Sequence, residues 1–349
     1  MEDWQKILHR SISTIADLQA HFGGDMPGLD QVAALYPLRI NPYYLGLIQR
    51  AGDPLWKQAV PDTRELTDEV CPADPLDEQR LSPVPLIVHK YPDRVLFLVS
   101  NQCAMYCRFC TRKRLVGTPT MQITDELIDR GIGYIRSHPA IREVLVSGGD
   151  PLLLGDERID AILTALRAIP SVEVIRIGSR VPCTLPMRIT DRLVSLLKKH
   201  HPLYINTHFN HPAEITPEAA EACRRLADAG IPLGSQTVLL RGVNDDLDTI
   251  RTLMRALLRI RVKPYYLFQA DLTRGTDHFR TPVRTGLEIM RGLYGHLSGL
   301  AVPTFALDAP GGKGKIPLTP EYVLEYGDTL VFSNYCGEIC TYPETGDPC

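Results

Sequence analysis

Six short apolar runs rich in β-formers recur along the middle of the chain, with segments of helical period between them. The runs are Val95–Ser100, Glu143–Val146, Val174–Ile177, Leu203–Asn206, Leu233–Leu240 and Val262–Leu267. Between them the spacing predicts helices over Asp125–Ile135, Arg158–Leu166, Asp191–Leu197, Pro217–Ala227 and Leu247–Leu258. Thr216 as N-cap and Pro217 at the first helical position mark the start of the fourth. Strand–helix alternation of this kind requires parallel strands with right-handed crossovers, and a complete or partial (β/α) barrel is its natural closure. In such barrels chemistry sits at the carboxyl ends of the strands.

The polar clusters of the chain obey that rule. Ser147-Gly148-Gly149-Asp150 follows the second run, Gly178-Ser179-Arg180 the third and Thr207-His208-Phe209-Asn210-His211 the fourth. Gln236 lies within the fifth, and Gln269-Ala270-Asp271 follows the sixth. After the first run comes the most unusual loop, Cys103-Ala104-Met105-Tyr106-Cys107-Arg108-Phe109-Cys110. Three soft thiolate ligands in one tight loop suit an iron–sulfur cluster or zinc. Structural zinc wants a fourth protein ligand close by, and the nearest histidine, His89, lies beyond the strand. A four-iron cluster on three cysteines instead leaves one iron open to an outside ligand.

Composition removes several function classes. A net charge of −3 gives no electrostatic footprint for nucleic acid or an anionic membrane. No apolar run approaches the ~18 residues that span a bilayer. The N-terminal Met1-Glu2-Asp3-Trp4-Gln5-Lys6 lacks a signal-peptide pattern. Nine cysteines, an odd count in unrelated spacings, argue for reduced thiols and a cytoplasmic protein. Residues 1–50 read as amphipathic helix without evident chemistry, and Val60 to Pro85, rich in Pro, Asp and Glu, reads as an extended strap.

A second unusual stretch is Ala309-Pro310-Gly311-Gly312-Lys313-Gly314-Lys315. The phosphate-cradling GxxxxGK[ST] spacing fails, because Lys315 is followed by Ile316. A glycine-rich loop presenting a lysine suits a pyridoxal phosphate (PLP) Schiff base, whose amine must swing free. Read by spacing alone, Lys313 and Lys315 both remain candidates.

The cysteine loop, with Phe109 before its third Cys, resembles the signature of radical S-adenosylmethionine (SAM) enzymes. Gly148-Gly149-Asp150 is similar to the motif that receives the amino group of SAM in those enzymes. From about residue 80 to 345 the chain resembles the PLP-dependent lysine 2,3-aminomutase family. The matching stretches are His89 through Val99, the cysteine loop through Arg112, Ser147 through Asp150 and Asn206 through Asn210. Gln269 through Leu272, His278-Phe279-Arg280 and Asp308 through Gly312 match as well.

The resemblance implies an α/β fold, a partial (β/α)6-type radical SAM barrel with an N-terminal helical extension and a C-terminal PLP-lysine segment. Its expected divisions are 1–85, 86–300 and 301–349. It implies a [4Fe–4S] cluster on Cys103, Cys107 and Cys110, SAM on the open iron, and PLP on Lys315. Lys90, Arg94, Phe109, Gly148, Gly149, Asp150, His208 and Gln236 are the further cofactor-binding positions. Arg112 would take the substrate carboxylate, while Asp271 and Asp308 would hold the distal ammonium of lysine. The activity implied is interconversion of L-lysine and β-lysine by a 5′-deoxyadenosyl-radical 1,2-amino migration on PLP. A sibling making β-lysine for modification of elongation factor P, or an aminomutase for another amino acid such as glutamate, is the alternative. A reductant such as flavodoxin or ferredoxin and homo-oligomeric assembly go with it. Lys313 stands where the family carries Gly, Phe268 where it carries Tyr, and Asp246 where longer members have a zinc-ligand Cys. Cys336, Cys340 and Cys349 do not reproduce the zinc tail, so no zinc is expected.

Overall fold

A computed structural model describes residues 2–343, and Cys349 falls outside them. Five helices come first: α1 (Asp3–His9), α2 (Ile15–Phe22), α3 (Leu29–Leu35), α4 (Pro42–Leu45) and α5 (Pro54–Ala59). The centre is a nine-stranded sheet in sequential order: β1 (Ile87–Tyr91), β2 (Arg94–Ser100), β3 (Glu143–Gly148), β4 (Val174–Gly178), β5 (Leu203–Thr207), β6 (Leu233–Leu239), β7 (Lys263–Gln269), β8 (Thr304–Ala309) and β9 (Gly314–Pro317). Every neighbouring pair from β2 to β8 is parallel, and the edge strands β1 and β9 are antiparallel to theirs.

The six crossovers from β2 to β8 carry α6 (Asp125–Ser137), α7 (Asp156–Arg167), α9 (Asp191–Leu197), α10 (Pro217–Asp228), α11 (Leu247–Arg259) and α12 (Val283–Leu293), with the short α8 (Val181–Thr184) ahead of α9. Side-chain caps start four of them: Thr124 accepts from Leu127, Thr190 from Leu193, Thr216 from Ala219 and Asp246 from Thr249. Asp246 thus has a structural task as the N-cap of α11.

Six of the parallel strands match the expected runs within a few residues. The seventh, β8, and the helix before it were not expected. α12 carries two glycines, which lowers its helical signature, and Gly286 is there because a Cβ would collide with the Phe305 ring of β8. The segment after residue 301 therefore contributes two strands to the barrel sheet. It then forms a separate antiparallel sheet of β10 (Val323–Glu325), β11 (Thr329–Ser333) and β12 (Ile339–Pro343). Cys336 lies exposed in the β11–β12 turn.

The barrel is open, since β1 and β9 share no ladder. Side chains join the two edges instead. The Lys315 amide donates to Tyr91 Oη at 3.0 Å, and Lys90 Nζ lies 3.7 Å from Asp308. No helix is long and apolar enough to cross a membrane among the described residues.

Candidate active site

Strand alternation decides what the barrel encloses. In β3, Val144 and Val146 are buried under the helices while Glu143, Leu145 and Ser147 face a central cavity of about 700 Å³. β4 does the same with Ile175 and Ile177 outward and Arg176 and Gly178 inward, and β6 turns Gln236 and Val238 inward. The volume is that of a small-molecule site. Lys90, Arg94, Phe109, Arg112, His208, Gln236, Asp271, Asp308 and Lys315 all line it. These nine expected positions come from across the chain, and the fold brings them to one space.

The cysteine loop crosses one side of the mouth. Its three thiols are free and partly buried, and burial pushes those of Cys103 and Cys110 up. Thiols so placed become thiolate ligands only with a strong cation beside them, so the donor set fits an iron–sulfur cluster. Arg180 Nη1 reaches Cys107 Sγ at 2.8 Å, and the Arg112 amide reaches Cys110 Sγ at 3.4 Å. Arg180 is held from behind by Gln58 Oε1 at 2.6 Å and by the buried Glu214 at 2.7 Å.

The end of β3 packs on the start of this loop. Gly148 has φ 127° and touches Ser100, and a Cβ on Gly149 would sit 2.5 Å from Gln102 O, so only glycine allows the approach. The Asp150 carboxylate does not stand open as an acceptor. It already takes Ser179 Oγ at 2.7 Å and the amides of Leu152, Arg180 and Val181, tying the β3 and β4 loops together.

His208 packs its ring 5.5 Å from Phe109, and its Nε2 donates to Asn210 Oδ1 at 3.0 Å. Burial, then the charge of Arg180, pushes its pKa down to about 3, so the imidazole is neutral.

The glycine-rich stretch is the turn of a hairpin. β8 and β9 pair with Ala309 opposite Gly314 and Asp308 opposite Lys315. That register makes a cross-strand ion pair, with Lys315 Nζ 3.0 and 2.8 Å from the two Asp308 oxygens. Lys315 Nζ also lies 4.8 Å over the Phe268 ring, whereas Lys313 has no side-chain partner among the described residues. Asp271, from the loop after β7, is the second acid. Burial first, then the neighbouring charge of Asp308, raises it to about 7, although Lys315 and Lys90 pull the other way.

Arg94 stacks on Tyr91 at 3.9 Å and pairs with Asp93, and Lys90 lies 5.6 Å over the same ring. Among the described residues, Arg176 Nε and Gln269 Oε1 of the cavity wall are without hydrogen-bond partners. An accessible amine, nearby cations and unpaired polar atoms fit a small anionic cofactor linked through lysine.

Sequence reasoning passed over three residues that matter here. Glu78 lies in the strap and pairs with Arg112 in the cavity wall. Glu65, also from the strap, is buried and takes Arg108 and Lys113 of the cysteine loop. Gln58, at the end of α5, braces Arg180. Only Arg180 had a signal, its place after the third strand.

The chain matches the Radical SAM superfamily over residues 97–254 and the family Lysine-2,3-aminomutase over 290–349. It is 49% identical over 349 residues to the L-lysine 2,3-aminomutase of Clostridium subterminale, covering 98% of this chain and 84% of that one. The enzyme of the same name from Fusobacterium nucleatum is 47% identical over 358 residues, with 99% and 84% covered. The glutamate 2,3-aminomutase of Clostridioides difficile is 47% identical over 305 residues, with 87% and 72% covered.

Proposed function

This chain belongs to the lysine 2,3-aminomutase family, and on that premise we propose that its barrel mouth interconverts L-lysine and β-lysine. The observation that carries this reading is the charge layout of one cavity. Arg112 stands on the cysteine-loop side, and Asp271 with Asp308 stands on the late-strand side. A planar guanidinium recognises a carboxylate, and two acids offset the cost of desolvating an ammonium. Lysine carries those two groups at its ends. Glutamate carries a second carboxylate, which the acid pair repels, so the layout favours lysine over the substrate of the Clostridioides relative.

Within this reading Cys103, Cys107 and Cys110 hold the [4Fe–4S] cluster. The main chain around Gly148, Gly149 and Asp150, with Phe109, His208 and Gln236, lines the SAM side. Lys315 takes PLP, with Lys90 and Arg94 toward its phosphate. When bound, these groups supply a carbon radical and an electron sink; the chain supplies position and exclusion of water. The electron comes from an outside donor such as a flavodoxin or ferredoxin. Lys315 neutralises Asp308 in the structure described here. Once its amine is engaged elsewhere, Asp308 keeps only the more distant Lys90, at 3.7 Å, and the distal ammonium of lysine suits the vacated place. Neutral His208 beside Phe109 keeps that wall free of added charge.

The test is anaerobic incubation of the reconstituted enzyme with SAM, PLP and a panel of amino acids. Lysine should yield β-lysine and glutamate should not react. Asp308→Asn leaves a buried ammonium under-compensated, a loss of roughly 3–5 kcal/mol or orders of magnitude in kcat/KM for lysine. Normal turnover of lysine by both Asp308→Asn and Asp271→Asn would end this assignment.

A further inference from the structure

The strap before β1 sends one carboxylate into the cavity wall. Glu78 Oε2 accepts from Arg112 Nε at 2.9 Å and Oε1 accepts from Arg112 Nη2 at 2.5 Å. Both residues line the cavity, and Glu78 is only 8% exposed. A guanidinium stays ionised when buried, so Arg112 meets Glu78 as a full ion pair.

The fork is side-on. It uses the Nε hydrogen and one Nη2 hydrogen, and Nη1 has no hydrogen-bond partner among the described residues. A guanidinium is planar with five N–H donors, so whatever clamps one edge aims the other. Glu78 is itself held in place. Its carbonyl accepts from Ser82 Oγ at 2.6 Å, Asp74 pairs with Arg114 at 3.1 Å, and Pro75 O accepts the Gly311 amide at 2.9 Å. Just ahead of Glu78 the strap thus touches both the segment after the cysteine loop and the lysine hairpin.

We propose that Glu78 is a positioning residue for substrate recognition: it clamps Arg112 side-on so that the free end-on edge of the guanidinium receives the α-carboxylate of the amino acid. The inference rests on the reading that Arg112 takes that carboxylate. It departs from simple electrostatics, and the two accounts give opposite signs. Glu78→Gln removes a negative charge from the wall. Charge alone would then make an incoming carboxylate bind tighter. Loss of aim makes it bind more weakly.

The test uses the PLP-loaded enzyme without SAM and follows the change in cofactor absorption on titration. The two ligands are L-lysine and 1,5-diaminopentane, which is lysine without its carboxylate. In Glu78→Gln the Kd for lysine should rise roughly 10- to 100-fold, as expected when one partner of a buried charge pair is altered. The Kd for the diamine should move less than about 2-fold. A lysine Kd that is unchanged or lower overturns the proposal, as does equal weakening of both ligands, which would mark a merely structural residue. If Glu78→Gln loads PLP poorly, Glu78→Asp is measured in its place. It keeps the charge and shortens the reach, and the same selective loss is expected. Arg112→Gln run in parallel separates the two layers. If it binds lysine as well as wild type does, the reading beneath fails. If it loses the preference for lysine over the diamine while Glu78→Gln keeps it, only the role of Glu78 falls.

Discussion

The two loops that face each other across the cavity are anchored in opposite ways. The cysteine loop is tied down along its length by the N-terminal region. The Tyr106 amide donates to Arg39 O, the Arg108 amide to Gln58 O, and Asn41 Nδ2 to Ala104 O. Ile40 and Met105 form an isolated β-bridge. Behind these, Arg108 forks onto buried Glu65 at 2.9 and 2.5 Å, and Lys113 joins at 2.8 Å. The lysine hairpin has far less. Gly311 and Gly312 turn at φ 73° and 72°, Gly311 bonds Pro75, and Lys315 is about a third exposed with its amine on Asp308. A cluster that delivers electrons gains from a fixed position, whereas an amine that must change partners gains from a loose turn. The N-terminal region thus braces the loop proposed to hold the cluster.

The largest way to break this contrast is to remove the anchor on the rigid side. Glu65→Gln leaves Arg108 and Lys113, both in the interior, sharing a neutral amide. A buried ionic cluster deprived of one member loses roughly 3–5 kcal/mol. The expected outcome is a lower Tm and a sharp fall in iron content after anaerobic reconstitution, with PLP uptake largely preserved because the hairpin does not touch Glu65. Iron content and Tm both at the wild-type level would show that the brace does not hold the loop.

On the loose side the expected effect on stability is small and the effect on chemistry total. Lys315→Ala deletes an ion pair whose lysine end is partly exposed and leaves the Asp308 carboxylate with Lys90 at 3.7 Å, so the loss should stay at about 1 kcal/mol. It should nonetheless abolish covalent retention of PLP, while Lys313→Ala should keep it. Borohydride reduction and peptide mapping decide between them, and label on Lys313 would reverse the assignment. The hairpin register explains the choice: Lys315 is a strand residue aimed across at Asp308, and Lys313 belongs to the turn.

The contrast also marks what could be read from the sequence. Six parallel strands were legible because a period of two and a period of 3.6 alternate in plain view, and the cysteine loop was legible because its three thiols are neighbours in the chain. Glu65 and Glu78 were not legible. Their partners lie 43 and 34 residues away, and nothing local separates them from the other acids of a strap rich in Asp and Glu. The pairing of Asp308 with Lys315 was also hidden. Pro310-Gly311-Gly312-Lys313 suggested a flexible loop, and only the ladder between β8 and β9 shows that it sets a register. Asp150 is expected at the cofactor because of its place after a strand; that its oxygens also accept from four donors of the β3 and β4 loops was not legible.

The smallest expected effect sharpens the comparison through pH. Asp271 faces the lysine hairpin and has its pKa raised to about 7 by burial and by Asp308. In the unfolded chain the same carboxyl titrates near 4. Below about pH 4 it is protonated in both states and has no effect on folding. Between about pH 4 and 7 the unfolded chain ionises freely while the folded protein keeps the proton, so stability falls over that interval and levels off above it. Asp271→Asn removes that liability. For the apoprotein its gain in stability over wild type should be larger at pH 8 than at pH 5, with a difference of about 1–3 kcal/mol after allowing for partial exposure. Lysine binding by the wild-type holoenzyme should run the other way and tighten over the same interval, because the ionised acid is the form that meets an ammonium. A stability gap between variant and wild type that stays flat from pH 5 to 8 would show that Asp271 is an ordinary surface acid. The acid pair would then reduce to Asp308 alone, and the loose side of the cavity would lose its second anchor for substrate.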